Sequence, residues 1–144
     1  MFTSILVAVD ASEAAQAALR HACDIAETYN AKLTLVNVVD VSKLLAVAGY
    51  ETPYPVDAIE IMRKDSAQIL SEACAACGET GITPATQTGE GDAVEEILGT
   101  AERMRADLIV LGTHGRKGLS RLFIGSVAEG VLRRADAPVL VVRQ

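Results

Sequence analysis

Between Gly112 and Ser126 the chain reads GTHGRKGLSRLFIGS, with four glycines, three Arg or Lys side chains and no acid. Glycine removes the Cβ that holds a ligand away from the main chain, and the free N–H groups of a helix start attract anions. Ser126 adds a hydroxyl donor, and Arg116, Lys117 or Arg121 adds charge. The chemistry these types and spacings support is the cradling of a phosphate. Gly118 on its own reads as a turn glycine. His114 has no evident acid partner and reads as a loop or phosphate-proximal residue rather than a general base.

Two other phosphate motifs do not fit. No GxxxxGK[ST] run is present, so a P-loop is excluded. Gly89-Glu90-Gly91 starts like GxGxxG, but Val94 stands at the third glycine position and the preceding strand is weak, which argues against a dinucleotide fold. Its expected role is to keep that loop low enough for a ligand to pass. Cys74-Ala75-Ala76-Cys77 invites a redox or metal reading. A reactive pair belongs at a helix start, however, and this one falls near a helix end. With only Cys23 and His21 as further ligand types nearby, zinc is disfavoured, and packing is the expected role of these thiols.

The elements that must position the cradle are legible from periodicity. ILVAV (5–9), LTLVNVV (33–39), DLIVLG (107–112) and PVLVV (138–142) are short, nearly continuous apolar runs, the pattern of strands buried on both faces. ITPATQT (82–88) is weaker and is assigned as a strand by its place between two helices. Helices are expected over 12–29 with Ser12 as N-cap, 57–77 stopped by Gly78, 92–105 with Asp92 as cap, and about 126–134 before the Asp136-Ala137-Pro138 turn. The order β-α-β-α-β-α-β-α-β predicts an α/β fold, an open five-stranded parallel sheet with helices on both faces, in one domain over 1–144. Residues 40–56 read as a long connection of the kind that folds over a site. Ligands of such sheets bind beyond the carboxyl ends of the strands, where Asp10, Asp40, the 89–92 loop and the opening stretch all fall.

The spacing Gly112-x2-Gly115-x9-Gly125-Ser126, with ILVAVDAS near the start, VNVVD in the second strand and SVAEGVLRRADAPVLVVR at the end, resembles the ATP-binding branch of the universal stress proteins over the whole chain. The resemblance implies a Rossmann-like fold similar to the adenine nucleotide alpha hydrolases. It implies that Ala8, Val9 and Asp10 meet the nucleotide at the end of the first strand, with Asp10 near ribose and a phosphate-bound divalent ion. The backbone of Val38 would hold adenine, Gly112 and Gly115 would face ribose and phosphate beside Arg116, and Gly125, Ser126 and Val127 would cap the terminal phosphates. Many relatives carry Gly where this chain has Ala11. Read alone, Asp10 is equally a turn or helix-start acid. Beside phosphate it needs a cation to offset repulsion, so the implied ligand is ATP with Mg2+ or Mn2+. The resemblance also implies a homodimer through the last strand, Val139, Leu140, Val141 and Val142, an apolar edge that templates pairing.

The composition agrees. Half the residues are apolar, only 3% are aromatic and Trp is absent, as in an aliphatic core around a parallel sheet. A net charge of −6 opposes nucleic acid as the main partner. The positive patch of Arg116, Lys117, Arg121, Arg133 and Arg134 suits a small anion, although some of these must be ordinary solvated charges. No stretch approaches the ~20 apolar residues of a membrane span, and no secretory leader is visible. Three cysteines, an odd count, point to a reducing compartment, the cytoplasm. The expected function is a nucleotide-dependent regulatory module that signals to a protein such as a transporter or an enzyme. The alternative is a slow ATP-hydrolysing or nucleotide-transferring enzyme, for which no residue is a convincing base.

Overall fold

The computed structural model describes residues 1–42, 44, 56–113 and 124–144. In chain order the elements are β1 (Ser4–Ala8), α1 (Glu13–Tyr29), β2 (Lys32–Val39), α2 (Val56–Gly78), β3 (Ala85–Glu90), α3 (Ala93–Arg103), β4 (Leu108–Gly112), α4 (Ser126–Arg134) and β5 (Val139–Val142). The strands form one sheet in the order β3-β2-β1-β4-β5, every neighbouring pair parallel. This is the open α/β architecture expected from the alternation of apolar runs and helical periods.

The central strands are covered on both sides. In β1, Ile5 and Val7 face the core formed with α1 and α2, while Leu6 points the other way, into the core formed with α3 and α4. All three are fully buried, which is why period-two alternation is absent from ILVAV. Truncating such a residue to Ala costs about 2–5 kcal/mol.

Small side chains let α1 lie close to the sheet. Ala14, Ala15, Ala17, Ala18, Ala22 and Ala26 are buried along it. Its start is held by Ser12, whose Oγ accepts from the Ala15 N–H at 3.1 Å. Its end turns at Asn30, in the left-handed region at φ 53°, with the Asn30 N–H returned to the last turn. Asp92 caps α3 in the same way as Ser12 caps α1, accepting from the Glu95 N–H at 3.0 Å. Among the described residues no helix is long and apolar enough to cross a membrane.

Candidate functional site

The sheet order places β1 between β2 and β4. The connection leaving β1 runs through α1 on one face, whereas the one entering β4 runs through α3 on the other. The crossovers therefore diverge at the carboxyl ends of β1 and β4, the place where a parallel sheet opens a crevice.

The β1 end of this crevice is rigidly tied. The Val9 N–H donates to the Val36 carbonyl at 2.9 Å, and the Val9 carbonyl accepts from Asn37 Nδ2 at 2.8 Å. Val9 thus has both main-chain polar groups engaged inside the protein, and its side chain lies in the α1/α2 core. It supports the site from behind. Asp10 follows, half-buried, with Oδ1 accepting from the Ser12 N–H at 2.7 Å. This turn contact is the role expected of Asp10 read alone, and it leaves Oδ2 without a hydrogen bond among the described residues.

Val38 lies opposite Gly89 of β3, two residues beyond the last β1–β2 register pair, Ala8 with Val36. Main-chain groups of a strand point alternately to its two neighbours. Since Val36 bonds toward β1 and the Val39 carbonyl accepts from the Gly91 N–H on the β3 side, the Val38 N–H and C=O point toward β1, where that strand has already ended. A donor and an acceptor are thus presented side by side at the crevice. Ala8, Val38, Val94 and Val127 are partly buried together on the α3/α4 face, giving that corner a small apolar wall.

On the other side, β4 leads through Gly112 to Thr113, whose carbonyl accepts the Gly125 N–H. Gly125 is the N-cap of α4 and, being glycine, has no side chain to cap the helix. The first N–H groups of a helix have no intrahelical acceptor, so Ser126 and Val127 present donors that no side chain caps among the described residues, at the positive end of α4. Gly125 itself differs from its expected role as a donor, because its N–H is engaged by Thr113. Gly112 also has a structural reason to be glycine. A Cβ there would lie 2.6 Å from the Ala14 carbonyl carbon and 2.8 Å from the Ala15 nitrogen, so the β4 exit can pass the start of α1 only without a side chain.

His114, Gly115, Arg116, Lys117, Gly118 and Arg121 lie outside the described residues, as does most of the 40–56 connection. Arg133 and Arg134 are occupied locally. Arg133 pairs with Glu129 one turn earlier at 2.9 Å, and Arg134 reaches Glu95 on α3 at 2.6 Å. Both pairs are exposed, where solvent screens them, and they read as helix-surface charges. The 89–91 glycines serve α3 packing. The Cβ position at Gly89 is 3.0 Å from Glu96 Cβ, and Gly91 adopts φ +141°, a conformation that favours glycine.

Asn37 is the site residue that motif reading missed. Its signal was available: an amide within the apolar run LTLVNVV, buried to 8% exposure, must have a partner. Among the described residues no cluster of three His, Cys, Asp or Glu side chains could hold a metal ion. A divalent ion at this edge would therefore take most of its oxygens from phosphate, with Asp10 contributing one carboxylate, a donor set that suits Mg2+.

Comparison with known proteins agrees with this architecture. A universal stress protein of Methanocaldococcus jannaschii is 34% identical over 144 residues, covering all of this chain and 84% of the relative. The structure of universal stress protein UspA from Lactobacillus plantarum superposes with a TM-score of 0.82 at 32% identity, covering 98% of this chain and 97% of the other. A universal stress protein solved in complex with cAMP gives a TM-score of 0.68 at 26% identity, over 98% and 96% of the two chains. The universal stress protein family matches residues 1–143, and with a five-stranded parallel sheet of the same architecture this chain belongs to that family.

Proposed function

We propose that the chain binds an adenine nucleotide, ATP with Mg2+ or Mn2+, and acts in the cytoplasm as a nucleotide-dependent regulatory module. The observation that carries this reading is the pairing of two kinds of vacant main-chain group on one sheet edge. Val38 offers a donor and an acceptor beyond the end of β1, a geometry suited to the edge of a base. The start of α4 offers uncapped N–H groups, suited to phosphate. Ala8 and Val127 supply an apolar wall for a ring. Asp10 stands between them in the chain's topology, with one carboxylate oxygen left for a phosphate-bound cation. A relative 26% identical to this chain was solved with cAMP, which also contains adenine, ribose and phosphate.

The nucleotide signals by binding one conformation more tightly than another. The segments proposed to respond are those that follow β2 and β4 in the sequence, the 40–56 connection and the glycine stretch. A homodimer through β5 completes the proposal: Val139, Leu140 and Val141 are only partly buried at the end of the sheet, and Leu132 on the neighbouring α4 is 42% exposed.

The test is to purify the protein without added nucleotide, denature it and identify what is released, beside a Gly125→Val variant. Gly125 sits at φ −61° and ψ 156°, a conformation valine adopts freely, so the variant is expected to fold by circular dichroism while its side chain crowds the helix start. Nucleotide from the parent and none from the folded variant supports the cradle. A parent that releases none and fails to bind added Mg-ATP overturns the assignment.

A further inference from the structure

The cysteine that faces Cys77 is not Cys74, its neighbour in the CxxC sequence, but Cys23, 54 residues away. The two sulfurs lie 3.1 Å apart, one on α1 and the other in the last turn of α2. Both are buried among the aliphatic side chains between these helices and the sheet, whereas Cys74 is only partly buried. We infer that Cys23 and Cys77 form a reversible redox site, a dithiol that closes to a disulfide and staples α1 to α2 when a hydroperoxide is the oxidant.

The surroundings favour an ordered reaction. The hydrogen bond between the two thiols lowers the Cys23 pKa against the opposing effect of burial. The Cys77 pKa is pushed well above the usual thiol range by Cys23 and by burial. With Cys23 as the attacking thiol, the oxidation runs in two steps. The Cys23 sulfur attacks the peroxide, the O–O bond breaks, water leaves and a sulfenic acid remains on Cys23. The Cys77 sulfur then attacks Cys23, the S–O bond breaks, and the Cys77 proton departs with the hydroxide as a second water. Two thiols lose two hydrogens and one peroxide becomes two waters.

Both thiols are buried, so the oxidant must reach them through a local opening. Cys77 lies next to Gly78 at the end of α2, where an added Cβ would meet nothing beyond its own helix and chain neighbours within 4 Å, and helix ends open more readily than helix centres. Closing the bond needs the sulfurs to approach by roughly 1 Å, from contact to about 2.05 Å.

The experiment treats the folded full-length chain with hydrogen peroxide, then denatures it, blocks free thiols with iodoacetamide and digests it with trypsin without reductant. Cys74 and Cys77 share one tryptic peptide, so the deciding protein is Cys74→Ala, whose altered side chain lies at the partly exposed position. The expected result is a peptide containing Cys23 joined to the one containing Cys77, in the parent and in Cys74→Ala, and separated by dithiothreitol. Loss of the joined peptide in Cys74→Ala, or full alkylation of Cys23 and Cys77 in peroxide-treated parent, overturns the proposal.

Discussion

The Asn37 side-chain amide donates to the Val9 carbonyl at 2.8 Å, joining the ends of β1 and β2 across 28 residues of sequence. This bond fixes where Asp10 leaves the sheet. It also satisfies a carbonyl that has no strand partner, since the β1–β2 ladder ends at Ala8 and Val36.

Replacing Asn37 by Leu keeps the size of the side chain and removes the donor. The orphaned Val9 carbonyl should cost about 1–3 kcal/mol of stability, read as a lower midpoint in urea unfolding. Nucleotide affinity should fall as well, because Asp10 and the Val38 edge lose their common anchor. A variant as stable as the parent would show that water replaces the amide.

Asp10→Asn separates the two roles of that side chain. Asn retains the Oδ1 acceptor for the Ser12 N–H, so the turn survives, but the charge that would meet a cation is gone. The expected outcome is unchanged thermal stability and a loss of roughly tenfold in Mg-dependent ATP affinity, equivalent to about 1.4 kcal/mol. Calorimetric titration with and without Mg2+ checks this. An equal magnesium effect in both proteins would remove Asp10 from the cation site.

Gly112→Ala should act through folding rather than binding. Its Cβ would have to fit 2.6 Å from the Ala14 carbonyl carbon, so α1 or β4 must shift, at a cost of about 1–3 kcal/mol. A clear drop in the melting temperature is expected even without nucleotide. If stability is unaffected and binding alone is lost, Gly112 serves the ligand directly.

At the opposite end of the sheet, Asp107 accepts from the Thr3 N–H at 2.8 Å, the Thr3 hydroxyl at 2.7 Å and the Ser4 N–H at 3.0 Å. Partial loss of water works against its charge, yet the donors of Ser4 and Thr3 prevail and hold its pKa below the ordinary value. Its stabilisation is therefore full above the unfolded carboxylate pKa of about 3.9 and is lost as pH falls through the lower folded value. Asp107→Asn should narrow the stability difference between about pH 5 and pH 3, measured by urea unfolding at each pH. An identical pH dependence in parent and variant would assign that acid loss to other carboxylates.

The sequence disclosed those elements whose neighbours are close in the chain. Ser12 and Asp92 announced α1 and α3 because a cap bonds three residues ahead. The apolar runs announced β1, β2 and β4 because burial on both faces demands them, and β5 although it is only partly covered. β3 was faint for a physical reason. Five of its six residues are exposed, so ATQTGE carries little hydrophobic pattern, and the strand occupies Ala85–Glu90 rather than 82–88. What stayed hidden were pairings across distant sequence. Neither Asn37 with Val9 nor Cys23 with Cys77 can be read from local spacing, and the CxxC run gives no hint that Cys23 is the neighbour of Cys77. The glycine spacing located the α4 start, but not that Gly125 turns its N–H inward or that Gly112 makes room for α1.

The two margins of the sheet are unlike. β3 presents Thr86, Gln87 and Thr88 to solvent, while β5 presents Val139, Leu140 and Val141 only half covered. A sheet with two greasy margins can add copies without limit and grow into a fibre. With one such margin, a single copy meeting its own kind exhausts the surface, so growth terminates at a closed pair. Under the proposed pairing through β5, the polar character of the margin least visible in the sequence would end growth at two copies.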